Sequence, residues 1–269
     1  MNPVTPVNPA TPVPPATILI LGGTREARDL AGLLADWPGL RVVSSLAGRV
    51  RDPARPAGEV RIGGFGGADG LADWLRDQRV DAVVDATHPF ARTISANAAA
   101  ACAATGVPLL GLAREPWTAG PDDRWHEVDS LPAAAALLPA LGRRVFLTTG
   151  RQGLAAFAAV DRAWFLIRCV DPPDGPLPAD GQVILARGPY DAAAERALMA
   201  EHRIDVLVTK NSGGPLTAGK LDAARELGLP VVMIRRPARP DVPLRSTPDQ
   251  AARWLAEVRG DGDVAPDQA

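Results

Sequence analysis

Cysteine and histidine are scarce in this chain of 269 residues. The two cysteines, Cys102 and Cys169, are too few for the disulfide framework of a small secreted protein, and we expect both to be reduced thiols. The three histidines are not clustered with the cysteines at the spacing that a zinc site requires. The sequence therefore predicts no structural metal.

An excess of one charge and long apolar runs are also lacking. The formal net charge is −2, which argues against an electrostatic nucleic-acid binder. No apolar run reaches the roughly 20 residues that span a bilayer. The first residues lack the basic start and apolar stretch of a signal peptide. We therefore expect a cytoplasmic protein that binds neither nucleic acid nor membrane.

Residues 17–28 have the pattern of a buried strand, a tight turn and a helix. The four aliphatic residues at 18–21 are typical of a strand that is covered on both faces. Gly22 and Gly23 allow a sharp turn, and Thr24 can cap the helix that follows. The amino terminus of a helix after such a turn is a ready phosphate site. Because the full G-x-G-x-x-G fingerprint is absent, a plain strand-to-helix turn is an equal alternative.

Strands and helices alternate along the chain after a proline-rich start. This pattern predicts an α/β protein with mainly parallel sheets. The pattern of a strand followed by a glycine turn starts again near residue 143. This restart indicates two Rossmann-like domains with a ligand cleft between them. We expect a disordered proline-rich tail at 1–16, a nucleotide-binding domain at 17–115, a connector at 116–142, a carboxyl-terminal α/β domain at 143–259 and a disordered tail at 260–269.

The end of the second predicted strand bears on the choice of dinucleotide. An acidic residue at this position favours NAD, because it binds the ribose 2′-hydroxyl. Here the strand end carries Ser44, Ser45 and Arg49, with neither Asp nor Glu. This chemistry suits a 2′-phosphate and hence NADP. An ordinary solvated arginine in a loop is the alternative.

Polar or glycine-rich loops follow five of the predicted strands. The carboxyl ends of parallel strands meet at one edge of a sheet, where ligands bind. The loops are Gly22-Gly23-Thr24, the segment 44–49, Thr87-His88, Thr149-Gly150-Arg151 and the segment 210–214. Their agreement along the chain is stronger support for a ligand site than any one of them alone.

Four blocks of sequence lie at these strand ends. They are ILGGTREA at 20–27, DATHPFA at 85–91, TGR at 149–151 and TKNSG at 209–213. The blocks resemble, in the same order, the motifs of the precorrin-6A reductase family. The resemblance implies NADPH-dependent reduction of a double bond in the precorrin-6A macrocycle to give precorrin-6B in cobalamin (vitamin B12) biosynthesis. A related version of the family reduces the cobalt-containing substrate, and these motifs do not decide between the two.

The resemblance also implies two α/β domains with cofactor and substrate at their cleft. The candidate cofactor residues, for NADPH, are Gly22, Gly23, Thr24, Glu26, Ser44, Ser45 and Arg49. Thr87 and His88 are the candidate catalytic residues, because they can hydrogen-bond the reacting ring or the nicotinamide. His88 is in addition a candidate proton donor, with solvent as the alternative source.

The substrate class implied by the resemblance is a flexible tetrapyrrole with many carboxylates. Such a ligand needs cationic partners, and Arg151 and Lys210 are the first candidates. The candidate substrate residues after Lys210 are Asn211, Ser212 and Gly213. These three can equally form a nest of backbone N–H groups that binds an anion.

Two other classes of function fit the pattern less well. A non-catalytic protein that senses NADP would not need the polar strand-end loops of the second half. An unrelated NAD(P)-dependent dehydrogenase or epimerase is the other class. The Tyr-x-x-x-Lys pair of the short-chain type is missing, because Tyr190, the only tyrosine, is followed four residues later by Ala194. The sequence does not determine the oligomeric state.

Replacement of Arg49 tests the choice of NADPH. We expect Arg49→Ala to weaken NADPH binding about tenfold and to leave NADH binding within about twofold, because only NADPH carries the 2′-phosphate. Dissociation constants from fluorescence titrations with both dinucleotides measure this. Arg76→Ala, in the predicted helix at 68–78, is the control. Equal losses for the two dinucleotides would remove Arg49 from this role.

Overall fold

A computed structural model of the protein describes residues 15–48 and 55–260. Within these ranges the chain forms two six-stranded sheets in which all paired strands are parallel. The predicted α/β class with mainly parallel sheets is confirmed. The expected tails lie almost entirely outside the described residues, as does Arg49.

The first sheet has the strand order β3-β2-β1-β4-β5-β12. Its strands are β1 (Ala16–Leu21), β2 (Leu40–Leu46), β3 (Glu59–Ile62), β4 (Val80–Asp85), β5 (Leu109–Leu112) and β12 (Leu244–Arg245). The helices on its faces are α1 (Arg25–Leu34), α2 (Gly67–Asp77), α3 (Arg92–Thr105) and α7 (Pro248–Arg259).

The second sheet has the order β9-β8-β7-β10-β11-β6. Its strands are β6 (Arg124–Val128), β7 (Arg144–Leu147), β8 (Trp164–Cys169), β9 (Gly181–Leu185), β10 (Val206–Lys210) and β11 (Pro230–Ile234). The α-helices of this half are α4 (Leu131–Leu141), α5 (Ala192–Glu201) and α6 (Gly219–Glu226), with short 3-10 turns at Leu154–Phe157 and Pro215–Thr217.

The aliphatic run of β1 is buried on both faces, as its sequence predicts. Ile18 and Ile20 pack with α1 and α7, whereas Leu19 and Leu21 pack with α2 and α3. Side chains alternate between the faces of a strand, so each face of the sheet needs its own cover of helices. All four side chains are at most 1% exposed. Burial of each stabilises the fold by about 1.5–3 kcal/mol.

Both sheets have a point at which the strand order reverses direction. In the first sheet it lies between β1 and β4, and in the second it lies between β7 and β10. The chain leaves these neighbouring strands toward opposite sides, so a crevice opens between their carboxyl ends. The polar loops predicted after β1, β4, β7 and β10 therefore flank the two crevices.

The division of the chain between the sheets differs from the expected domain boundaries. The expected connector at 116–142 contains β6, which pairs with β11 in the second sheet. The end of the expected carboxyl-terminal domain returns to the first sheet, where β12 pairs with β5 and α7 packs against α1. The return covers apolar side chains of the first sheet, and periodicity along the chain does not specify which sheet a helix will cover.

Among the described residues, no helix is long and apolar enough to cross a bilayer.

The returning helix offers a stability test. Leu255 of α7 is fully buried in the core of the first sheet, whereas Val258 on the same helix is 37% exposed. We expect Leu255→Ala to lower the free energy of unfolding by about 2–5 kcal/mol, because it leaves a cavity. The control Val258→Ala should change it by no more than about 0.5–1 kcal/mol. Chemical denaturation measures both, and equal effects would contradict the packing of α7 on the first sheet.

Candidate active site

The turn after β1 has the backbone geometry of a site that a ligand can approach closely. Gly23 has a φ of 114°, which residues other than glycine rarely adopt. Apart from Gly23 and its two chain neighbours, no described atom lies within 4 Å of the position that a Cβ would take. Gly22 is packed more closely, with Leu46 and Ser45 beside it. Thr24 caps α1 by accepting the Ala27 N–H at 3.1 Å.

The hydroxyl of Thr24 also joins the two strands that flank the crevice. Its Oγ1 donates to the carbonyl of Ala86, after β4, at 2.7 Å. Because the hydroxyl proton is used there and a lone pair is used in the cap, the side chain of Thr24 mainly fixes the turn. A ligand at this turn would meet the backbone and the amino terminus of α1.

The serines predicted at the end of β2 lie inside the strand. Ser44 and Ser45 are both buried, and Ser44 Oγ is a buried oxygen without a hydrogen-bond partner in the described part of the chain. The exposed segment after the strand begins at Ala47. Ser44 and Ser45 therefore have little surface to offer a ribose.

Glu26, in the first turn of α1, is held by an arginine that sequence reasoning missed. Arg114, which follows β5, donates to the Glu26 carboxylate at 2.9 Å. Its Nε also lies 2.9 Å and 2.8 Å from the carbonyl oxygens of Ser212 and Gly213 in the second half. Arg114 thus connects the first helix with the loop after β10. Its charge also offsets that of a carboxylate that would repel an anion at the helix terminus.

The residues after β4 form a buried hydrogen-bonded group. Asp85 accepts the hydroxyl proton of Thr87 at 2.6 Å and the Thr87 N–H at 3.1 Å. Its other carboxylate oxygen accepts from Arg239 at 3.1 Å. Thr87 is only 7% exposed, and its proton is already donated. Its side chain therefore orders the strand end, and His88 is the more accessible residue of the pair.

His88 is half-buried and is surrounded by cations. Burial, the largest cause, and the charges of Arg114, Lys210 and Arg236 together lower its pKa from an ordinary 6.5 to about 3. The imidazole is therefore neutral near pH 7. Because Nδ1 accepts the Phe90 N–H at 3.3 Å, the proton of the neutral ring belongs on Nε2.

The chain's two lysines have different surroundings. Lys210, at the end of β10, has no carboxylate within 4 Å among the described residues; its Nζ lies 5.5 Å from the centre of the Phe90 ring. Burial lowers its pKa. Lys220 is buried in α6, donates to the carbonyl of Thr217 and lies over Trp117. Lys210 is therefore the lysine that remains for a ligand.

The loop after Lys210 is organised by its own contacts. The side chain of Asn211 accepts the Trp117 N–H at 2.8 Å and donates to the Trp117 carbonyl at 2.9 Å. The N–H of Asn211 donates to Ile234, and that of Ser212 donates back to Lys210. These N–H groups are therefore already used, which argues against the anion-binding nest. The carbonyl groups of 211–213 accept from arginines instead.

Arg236, after β11, is the second arginine that binds this loop. It donates to the carbonyl oxygens of Asn211 at 2.9 Å, Ser212 at 3.1 Å and Arg114 at 2.9 Å. A Cβ on Gly213 would overlap the Arg236 guanidinium and the Glu115 carbonyl, which explains the glycine. Burial and the nearby Arg114 and Arg239 lower the pKa of Arg236, which nevertheless stays charged at neutral pH.

Arg151 lies at the other crevice, after β7. It lines a cavity of about 400 Å³ with residues of the 152–155 segment, Asp174 and Pro176. Its guanidinium is 3.6 Å from the exposed Asp174 carboxylate. Thr149, beside it, has a buried hydroxyl with no hydrogen-bond partner in the described part of the chain.

The site therefore brings together some predicted residues and adds three that were missed. Glu26, Thr87, His88 and Lys210 belong to it, and the added residues are Arg114, Arg236 and Arg239. With Asp85, the group has four permanent or near-permanent cations and two carboxylates, and the charge of a third carboxylate, that of Glu115, also acts on Arg236. Arg114 and Arg236 also follow strands, so the strand-end rule could have found them. Among the described residues, no group of His, Cys, Asp and Glu could hold a metal ion.

The strand order and the glycine turn define a Rossmann-type α/β protein, and its two halves meet at a group of residues with an excess of positive charge. The family model described as "Precorrin-6x reductase CbiJ/CobK" matches residues 17–256. The chain belongs to this family, and the predicted resemblance is confirmed.

Individual proteins agree with this assignment. Precorrin-6A reductase of Rhodococcus erythropolis is 60% identical over 241 residues, which cover 90% of this chain and 96% of that protein. The solved structure titled "CobK precorrin-6A reductase" superposes with a TM-score of 0.84 at 47% identity, covering 90% of this chain and 97% of that one. Cobalt-precorrin-6A reductase of Priestia megaterium is 32% identical and covers 82% of this chain and 90% of that protein.

The surroundings of His88 predict how stability depends on pH. Below about pH 6.5 the unfolded chain takes up a proton at His88, whereas the folded protein does so only near pH 3. The unfolded state therefore binds more protons in this window, so the free energy of unfolding falls as the pH falls. We expect His88→Gln to reduce this fall, as measured by urea denaturation at about pH 7 and about pH 4.5. An unchanged pH dependence would contradict a neutral His88.

Proposed function

We propose that this protein reduces a double bond of precorrin-6A with NADPH to give precorrin-6B, a step of cobalamin biosynthesis. The proposal depends on one observation. The imidazole of His88, from the first sheet, lies within electrostatic reach of the cations Lys210, Arg114 and Arg236. The positive charges exceed the carboxylates there, as binding of a polycarboxylate tetrapyrrole requires. The names of the relatives support this substrate.

The residues around the turn after β1 fit a dinucleotide. Gly23 leaves space where a side chain would stand, and the amino terminus of α1 is suited to the pyrophosphate. The nicotinamide supplies the hydride when it is bound. Gly22, Gly23 and Thr24 would hold the phosphates mainly through their backbone, with Glu26 kept neutralised by Arg114. NADPH rather than NADH is supported by Arg49 and the absence of an acidic residue at 44–49.

Reduction of the macrocycle consumes a proton as well as a hydride. In the free protein His88 is neutral, so it can donate a hydrogen bond from Nε2 but holds no spare proton at neutral pH. We therefore assign His88 to orienting the substrate. With His88 neutral, as it is in the free protein, the proton comes from solvent. Thr87 acts indirectly, because its hydroxyl is bonded to Asp85 and fixes the strand end that carries His88.

Lys210 is the proposed partner of a substrate carboxylate. It lacks a carboxylate partner among the described residues and is partly buried, so an anion that reaches it gains more than at a fully solvated lysine. Arg151 is a second candidate for a more distant carboxylate, beside its own cavity. Asn211, Ser212 and Gly213 serve this site by shaping the loop.

The metal-free substrate is favoured over the cobalt-containing one. The Rhodococcus erythropolis relative, at 60% identity, is named for precorrin-6A, whereas the Priestia megaterium relative named for cobalt-precorrin-6A is 32% identical. Both substrates carry the same class of peripheral carboxylates, so the charges of the site do not discriminate between them.

Turnover measurements test the function. The purified protein should oxidise NADPH, followed by absorbance, in the presence of precorrin-6A, and more slowly with cobalt-precorrin-6A. Reactions without tetrapyrrole and with NADH are the controls. Binding of NADPH without turnover of either substrate would contradict a reductase and favour the NADP-sensing alternative. Faster turnover of the cobalt substrate would reverse the assignment of the metal-free one.

A further inference from the structure

We propose that Arg236 is a positioning residue that holds the loop after β10 in the shape that places Lys210 for a substrate carboxylate. This inference rests on the proposed function, since it assumes that Lys210 meets the tetrapyrrole. It assigns a role to a side chain that is outside the sequence blocks of the family resemblance.

The guanidinium of Arg236 binds the loop from three directions. Nε, Nη1 and Nη2 each donate to a different backbone carbonyl, those of Asn211, Arg114 and Ser212. Two of these carbonyls belong to the two residues directly after Lys210, and the third belongs to the segment after β5. The planar fork therefore fixes the loop to the segment after β5, where the chain passes from the first sheet to the second. The planar guanidinium presents its donors in a fixed geometry, unlike an ammonium group.

The neighbouring residues are adapted to this guanidinium. Gly213 has a φ of 70°, and a Cβ there would overlap Arg236. Asn211 uses its whole side-chain amide to hold the Trp117 backbone. The polar and glycine residues after Lys210 are thus explained by their contacts with Arg236 and with the segment after β5. These residues need no direct contact with a ligand.

The charge of Arg236 stays available to the site. Its partners are neutral carbonyls, and no carboxylate lies within 4 Å of it among the described residues. The contrast is Arg235, which is 48% exposed in its side chain and is paired with Asp129 and Glu127. Arg236 therefore adds positive charge near His88 while it orders the loop after Lys210.

Two substitutions separate the hydrogen bonds from the charge. Arg236→Lys keeps the charge and loses the three-way fork, whereas Arg236→Gln loses the charge as well. We expect both to raise the KM for precorrin-6A about tenfold, with the larger effect for Gln, and to leave kcat within about threefold. The NADPH dissociation constant should stay within about twofold. Arg235→Lys and Arg235→Gln are the matched controls and should leave all of these values unchanged.

A double-mutant cycle identifies the route through Lys210. Lys210→Met should raise KM about tenfold in the wild-type background and less than about threefold in the Arg236 variants, because the lysine is already misplaced there. If KM in the double variant rises by the product of the two single-variant increases, the proposal is overturned. A lower kcat with unchanged KM would also overturn it, since that result indicates only a smaller folded fraction.

Further measurements distinguish failure of this inference from misfolding of a variant and from failure of the proposed function. Thermal unfolding is recorded for each variant, and Gly213→Ala provides an independent way to displace the guanidinium if the Arg236 variants do not fold. Equilibrium binding of precorrin-6A, measured by tryptophan fluorescence, serves as a readout that needs no turnover. Wild-type protein that binds but does not reduce precorrin-6A contradicts the proposed function alone. Folded Arg236 variants that bind it as wild type does contradict the role of Arg236.

Discussion

The two halves are joined by guanidinium groups that donate to backbone carbonyls. Arg114 reaches from the end of β5 to the loop after β10, and Arg236 reaches back to the carbonyl of Arg114. A carbonyl satisfies the N–H groups of a buried guanidinium without cancelling its charge. The charge of Arg114 is paired with the Glu26 carboxylate. The contacts by which Arg236 holds the strand ends in place leave its own positive charge at the site. Geometry and electrostatics here have the same cause.

This arrangement constrains the chemistry of His88. The imidazole lies where the two halves meet, so it shares its surroundings with cations from both. In such a place the neutral ring is favoured by burial and by repulsion from neighbouring charges. An anionic ligand would offset part of that repulsion. The site is thus suited to a polycarboxylate. Because the nicotinamide carries out hydride transfer, the protein needs mainly to bind and orient the reactants and to exclude water.

The alternation of strands and helices was sufficient to predict the fold class, because β1 is a continuous aliphatic run that ends at a glycine turn and is followed by a helix. It was also sufficient to indicate which loops carry polar chemistry. It did not indicate the direction of individual side chains. Ser44 was a candidate cofactor residue but is buried within β2. Asn211 was a candidate substrate residue beside Lys210, but its side chain is hydrogen-bonded to the Trp117 backbone. Neighbours in sequence alternate in direction, and only packing decides which of them meets solvent.

The sequence by itself determined the parallel α/β class, the glycine turn before α1, the family and the strand ends at which the site is built. These depend on short-range pattern, which is written along the chain. Only the tertiary structure decided that β12 and α7 return to the first sheet, and that Arg114, Arg236 and Arg239 join residues up to 154 positions away. Such contacts carry no periodic signal, because they depend on how the two sheets are placed in space. The charge state of His88 follows from the same placement, since desolvation and nearby cations are properties of the folded arrangement.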